Sequence, residues 1–173
     1  EMVPEYIQKE AEQGKVEDLG RNTVLQESLD IFRTQQQVAH ENGLRTTIQM
    51  TYASLFNAEA VEIAKGHHKQ YGDEIGSTFL GIQCKEFREK FKSKELAIWL
   101  FSMDDKRRIV DEVFGKFHEV FGFYPTSTGS YYMDAELVNY IKEKYPMVKA
   151  AVATCWEEGP KAYWNANNSW YTL

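Results

Sequence analysis

The sequence predicts an α/β fold built on a parallel sheet, and three observations carry that prediction. Amphipathic stretches of helical period alternate with short β-branched or apolar runs from residue 22 to residue 155, the pattern of helices crossing over between parallel strands. Glycine stands where three of the helical stretches should end, at Gly43, Gly72 and Gly122, positions suited to a left-handed cap residue. The run 148–155 is almost wholly small and β-branched, as in a strand covered on both faces.

Residues 1–21 are rich in Glu, Gln and Lys with few apolar positions, and are expected to form an exposed helical extension broken at Gly14 or Gly20. From Asn22 the pattern sharpens. Leu25, Leu29, Phe32, Gln36 and Ala39 recur at spacings of three and four, which predicts an amphipathic helix ending at Gly43. The alternating run that follows predicts a strand over 45–51. Asn57 is placed to cap a second helix reaching to about Gln70 with Ala60, Val61 and Ala64 inward, and a strand over 74–79 follows Gly72. The charged segment 84–94 is expected to be a solvated helix or lid. A continuous apolar run predicts a buried strand over 96–101, with a helical turn as the alternative.

Ser102, Asp104 and Asp105 mark the start of the clearest helix, whose stripe of Ile109, Val110, Val113, Phe114, Phe117, Val120 and Phe121 runs toward Gly122. The small polar segment 126–130 is read as an open loop at a strand end. Asp134 is expected to cap a helix carrying Leu137, Val138 and Ile141, which Pro146 terminates. This layout predicts burial of Phe32, Ile48, Ile75, Val113, Phe117, Ile141 and Val152.

With 173 residues the chain has the size of one domain, and its 43% hydrophobic content suffices for a core. Its 26 acidic against 20 basic residues give a net charge of −6, which supplies no electrostatic reason to expect a nucleic acid or anionic membrane partner. Its apolar runs are too short to span a bilayer, which takes roughly 20 residues. The first residue, Glu1, suggests that an upstream segment has been removed. The compartment stays open on this reading, and a periplasmic or extracellular location is compatible with it. Cys84 and Cys155 lie far apart without zinc-finger spacing and are expected to be buried or half-buried thiols near strand ends. Asn167-Asn168-Ser169 matches a glycosylation triplet, a pattern common by chance.

The segment Tyr71-Gly72-Asp73-Glu74-Ile75-Gly76-Ser77-Thr78-Phe79-Leu80-Gly81-Ile82-Gln83 resembles the second signature of the polysaccharide deacetylases. Gly72, Glu74, Ile75 and Gly76 match it. Asp73 takes the place of the leading histidine, and Thr78 and Ile82 take the places of the paired metal-binding histidines. Gly122-Phe123-Tyr124-Pro125 and Gly129-Ser130-Tyr131-Tyr132-Met133-Asp134 are similar to the approach to the third motif and the loop after it. Arg45-Thr46-Thr47-Ile48-Gln49-Met50 replaces the family's Ala-Thr-Phe-Phe strand. In order and spacing, residues 22–160 resemble the glycoside hydrolase/deacetylase superfamily.

That resemblance implies an irregular, seven-stranded (β/α) barrel, incomplete within residues 22–173, with the remainder in a larger polypeptide. It further implies a carbohydrate-active hydrolase acting on an oligo- or polysaccharide. The departures redirect the chemistry. The family's Asp-Asp motif, its His pair and its third-motif Arg are absent, so no metal and no other cofactor are expected. The superfamily's glycosidases, which work with carboxylates, fit these losses better than its metal-dependent deacetylases.

Parallel α/β folds place chemistry at the carboxyl ends of their strands. That rule selects Gln49, Tyr52, Ser77, Thr128 and Tyr131 as substrate-binding candidates. Trp156-Glu157-Glu158-Gly159 follows the last predicted strand, and Glu157 and Glu158 are the catalytic candidates, since glycoside hydrolysis needs two carboxylates flanking the scissile bond. They are expected at the barrel mouth beside Ser77, Thr128 and Tyr131. Trp156 and Trp164 offer rings on which sugars stack. The plainer readings are loop acids and aromatics packed against a neighbouring element. His67 and His68 diverge by about 100° on a helix and cannot share one ion. His40 and His118 have no carboxylate at ligand spacing in sequence, so all four histidines are read as surface or helix-end residues. The alternative to a hydrolase is a degenerate barrel that binds glycans or a protein partner without catalysis.

Overall fold

A computed structural model describes residues 26–80, 82, 84–93, 95 and 98–154. The expected extension over 1–21 lies outside them. In chain order the elements are α1 (Gln26–Glu41), β1 (Thr47–Met50), a 3₁₀ turn (Ala53–Phe56), α2 (Ala58–Tyr71), β2 (Glu74–Thr78) and α3 (Lys85–Phe91). A second 3₁₀ turn (Ile98–Leu100), α4 (Met103–Phe121), β3 (Ser127–Tyr132), α5 (Ala135–Lys144) and β4 (Ala150–Thr154) complete the order.

The helix boundaries follow local chemistry. Asn57 accepts the Ala60 N–H at 2.9 Å and so caps α2, which buries Ala60, Val61 and Ala64. Ser102 does the same for α4, accepting the Asp105 N–H at 3.2 Å. Gly72 and Gly122 end these helices at φ of 75° and 80°, where a side chain would be strained. Asp134 departs from expectation: it makes no cap to α5, and its carboxylate accepts from Lys106 Nζ at 2.5 Å instead. A buried ammonium competes for that carboxylate more strongly than a backbone N–H does.

The sheet is parallel throughout, in the order β1-β2-β3-β4. Each strand therefore pairs with the next one in sequence, across a helical crossover. Register sets Ile48 beside Ile75, Met50 beside Ser77, and Ser77 beside Thr128, which pairs with Ala151. Ile48 and Met50 line a groove of about 270 Å³ with Leu29 and Phe32 of α1 and Ala60 of α2. Thr128 and Ala151 line another of about 280 Å³ with Val138 and Ile141 of α5. α1, α2 and α5 thus lie against one and the same face, as right-handed crossovers between sequential strands require.

Between this face and the helices sits the core. Ile109, Val110, Val113, Phe114 and Phe117 of α4 are fully buried, and Phe114 stacks on Phe79 just beyond β2 at 5.7 Å. Burying a side chain of this size stabilises by roughly 1.5–3 kcal/mol relative to leaving it in water.

Three expectations are corrected. The apolar run placed in a strand over 96–101 forms the 3₁₀ turn Ile98–Leu100: Ile98 alone is fully buried there, and Leu100 is largely exposed. The helical turn given as the alternative is what forms there, directly before the Ser102 cap of α4. The segment 126–130, read as a loop, contributes to β3, which pairs on both sides with β2 and β4. Its Ser and Gly residues have little strand propensity, and partners on both sides make the segment a strand. Finally, β4 is not covered on both faces. Ala151, Val152 and Ala153 are exposed, Val152 at 74%. Ile48, Ile75, Val113, Phe117 and Ile141 are buried as expected, and Phe32 is half-buried against the core. No helix among the described residues is long and apolar enough to cross a membrane.

Candidate functional site

The face of the sheet opposite the helices is polar. A Cβ built on Gly76 would overlap Ser127 Oγ and approach Gln49 Nε2 to 2.5 Å, and one on Gly129 would face Thr78 Oγ1 and Gln49 Oε1. These five residues therefore share one surface. Gln49 Nε2 reaches across Gly76 to donate to Ser127 Oγ at 3.0 Å, a bond that a side chain at position 76 would block. Toward the amino ends of the strands, Glu74 accepts from Thr47 Oγ1 at 3.2 Å and from Thr126 Oγ1 at 2.6 Å. The Thr126 bond foremost holds the Glu74 carboxyl below its ordinary range. Gln49 Oε1 finds no hydrogen-bond partner among the described residues.

The other sequence candidates are placed differently. Ser77 and Thr128 are register partners, but they belong to the helix-covered face and are fully buried, their hydroxyls without a hydrogen-bond partner. They do not share a surface with Gln49, because alternation along a strand sends residues 76 and 77 to opposite faces. Tyr52, expected at a ligand-facing strand end, is a core residue at 1% exposure. It packs on Phe56 and Phe87 and donates to Glu112 Oε1 at 2.7 Å. The backbone of Tyr131 lies in β3. Trp156, Glu157, Glu158 and Trp164 lie outside the described residues, as does Cys155. Cys84 is buried, and burial foremost pushes its thiol up to about 11.

Thr78 Oγ1 donates to the Gly129 carbonyl at 3.0 Å and Ile82 is fully buried. Neither offers an exposed donor to an ion.

A second constellation occupies the other end of the sheet, where Asp73 leads into β2. His40 near the end of α1 donates from Nε2 to Asp73 Oδ2 at 2.7 Å, and both side chains are buried, at 5% and 0% exposure. Asp73 Oδ1 accepts the Thr46 N–H at 2.9 Å. His67, from the last turns of α2, places its ring 5.0 Å from that of His40, and Tyr71 stacks on His40 at 3.7 Å. His68 turns elsewhere, to the Asp73 carbonyl and the ring of Phe123.

Burial alone would raise the Asp73 carboxyl, but the hydrogen bonds from Thr46 and His40 outweigh it and hold the group low. Burial, and secondarily His40, lowers His67. His40 is thus no surface residue, and its carboxylate partner stands 33 positions away in sequence. The signal was legible in principle: two helices of a parallel layer, each followed by a strand, end at the same edge of the sheet, so histidines in their last turns converge.

The fold and the two polar constellations define a parallel α/β protein wound in one direction, with a polar face turned away from its helices. Comparison with protein-family models, with curated proteins and with solved structures returned no match.

Proposed function

We propose that the chain forms part of a (β/α) barrel of the glycoside hydrolase/deacetylase type and acts as a carbohydrate-active hydrolase on an oligo- or polysaccharide. One observation carries this reading. Four parallel strands in sequential order, with helices on a single face, are the arrangement of a barrel wall, whereas a doubly wound sheet reverses its strand order and splits its helices between two faces. In a barrel the face without helices turns inward. Here it carries Gln49, Glu74, Thr78 and Ser127, a lining suited to a polar ligand. The exposed outer strand β4 is where further strands would continue the wall.

The chemistry favoured is glycoside hydrolysis by carboxylates. Thr78 and Ile82 remove the donors that a deacetylase uses, while Glu157 and Glu158 follow β4 in the sequence. In this reading one of the two, facing the ligand, acts as nucleophile or general acid, and Trp156 and Trp164 stack on sugar rings.

The test is kinetic. On a glycan that the parent cleaves, Glu157→Gln or Glu158→Gln should lower turnover by several orders of magnitude with the melting temperature nearly unchanged. Unaltered hydrolysis in both variants would remove these residues from the mechanism. Glycan binding without cleavage, lost on Trp156→Ala or Trp164→Ala, would replace the hydrolase with a binding barrel.

A further inference from the structure

We propose that His40, His67 and Asp73 form a binding site for a divalent transition metal ion such as Zn²⁺, at the end of the sheet opposite the carboxyl ends of its strands. One donor atom from each of the three lies within 4.8 Å of the others. Two imidazoles and a carboxylate are a donor set that suits zinc and its neighbours in the first transition row.

A second observation points the same way. The Nδ1 atoms of both histidines are buried and have no hydrogen-bond partner, although the His40 side chain is only 5% exposed. Buried imidazole nitrogens are ordinarily satisfied, because an orphaned one has lost water and gained nothing in exchange. The surroundings are also prepared for an ion. The Thr46 N–H orients the Asp73 carboxylate through Oδ1, leaving Oδ2 directed at His40, and Tyr71 holds the His40 ring by stacking. Fixing of ligands by such outer contacts is characteristic of metal sites.

The movement required is small. A tetrahedral ion with bonds of about 2.1 Å sets its donors roughly 3.4 Å apart. The Nε2···Oδ2 pair, now 2.7 Å apart, must open by roughly 0.7 Å, and the widest donor separation must close by at most about 1.4 Å. Rotation about side-chain bonds covers both. The His40 proton now directed at Asp73 shifts to the unpartnered Nδ1, so that the neutral imidazole presents the Nε2 lone pair to the ion. Three protein ligands leave a fourth position for water. An ion held there would tie the end of α1 and the end of α2 to the lead-in of β2. The site stands apart from the polar face and does not depend on the hydrolase reading.

The experiment is a zinc titration of the chelator-treated, metal-free protein, followed by calorimetry and thermal unfolding, with Co²⁺ absorption as a report on coordination. The expected result is one equivalent of Zn²⁺ bound and a melting temperature that rises with zinc concentration. His67→Phe keeps an aromatic ring for the stacking while deleting both nitrogens. It should weaken binding by at least about 100-fold, since loss of an outer contact alone costs 10- to 100-fold. Asp73→Asn keeps the acceptor for the Thr46 N–H but sets an amide NH2 against His40 Nε2 and is a poor ligand, and should act likewise. Absence of stoichiometric binding by the parent, or parent-like affinity in folded His67→Phe, would overturn the proposal.

Discussion

At the scale of single residues, Gly76 shows how closely the polar face is built. It lets Gln49 reach Ser127 across the strand between them, and the space a methyl group would need is already taken by both side chains. Gly76→Ala should therefore destabilise the protein by about 1–3 kcal/mol, the usual cost of forcing atoms into a filled interior. Because the obstruction is made of side-chain ends, Gln49→Ala in the same chain should recover part of the loss. Urea unfolding of the two single variants and the double variant measures that coupling. Strictly additive effects would mean that the side chains yield freely.

Among the elements, α2 is the best defined by local chemistry: Asn57 caps its start, Gly72 ends it, and Ala60, Val61 and Ala64 present a flat face to the core. The cap satisfies the Ala60 N–H, which would otherwise lack a partner in the helix. Asn57→Ala should cost about 1 kcal/mol. For a chain of this length that corresponds to a fall in melting temperature of roughly 2–4 °C, readable by calorimetry. These features were legible in the sequence because caps and helical periodicity act within a few residues of one another. The 3₁₀ turn at Ile98–Leu100 and the strand β3 were misread for the opposite reason. An apolar run becomes a strand only with a neighbour to pair with, and a run of Ser, Thr and Gly becomes one when two neighbours demand it.

For the molecule as a whole, Asp111 links α4 to α5 and the segment after it, accepting from Tyr140 and Tyr145 hydroxyls at 2.7 and 2.8 Å and from Lys144 at 2.7 Å. Burial pushes its carboxyl up, but the bonds from Lys144, Tyr140 and Tyr145 outweigh that and hold it below the ordinary carboxylate range. A group lowered in the folded state stabilises above its unfolded value and loses that contribution as pH falls through its folded value. Asp111→Asn should therefore be less stable than the parent near pH 7, with the difference beginning to shrink near pH 4, where the unfolded carboxyl takes up its proton, and lost as pH falls further through the lower folded value. Denaturation midpoints across this range test the sign. A gap that widened on acidification would refute the assignment.

The sequence by itself determined α1, α2, α4 and α5 and the parallel class of the sheet. Caps, glycines and apolar spacing are local instructions, and the core stripe of α4 could be read from them before any contact was known. The pairing of His40 with Asp73, the separation of Ser77 from Gln49 and the burial of Tyr52 were decided only by tertiary structure. Each depends on where two segments tens of residues apart come to rest, and on which face of a strand a residue occupies. A shift of one position along a strand exchanges those faces. Strand order, too, was a tertiary outcome. The alternation of helix and strand permits both a doubly wound sheet and a barrel wall, and what separates them is whether each strand lies beside the one that precedes it in the chain.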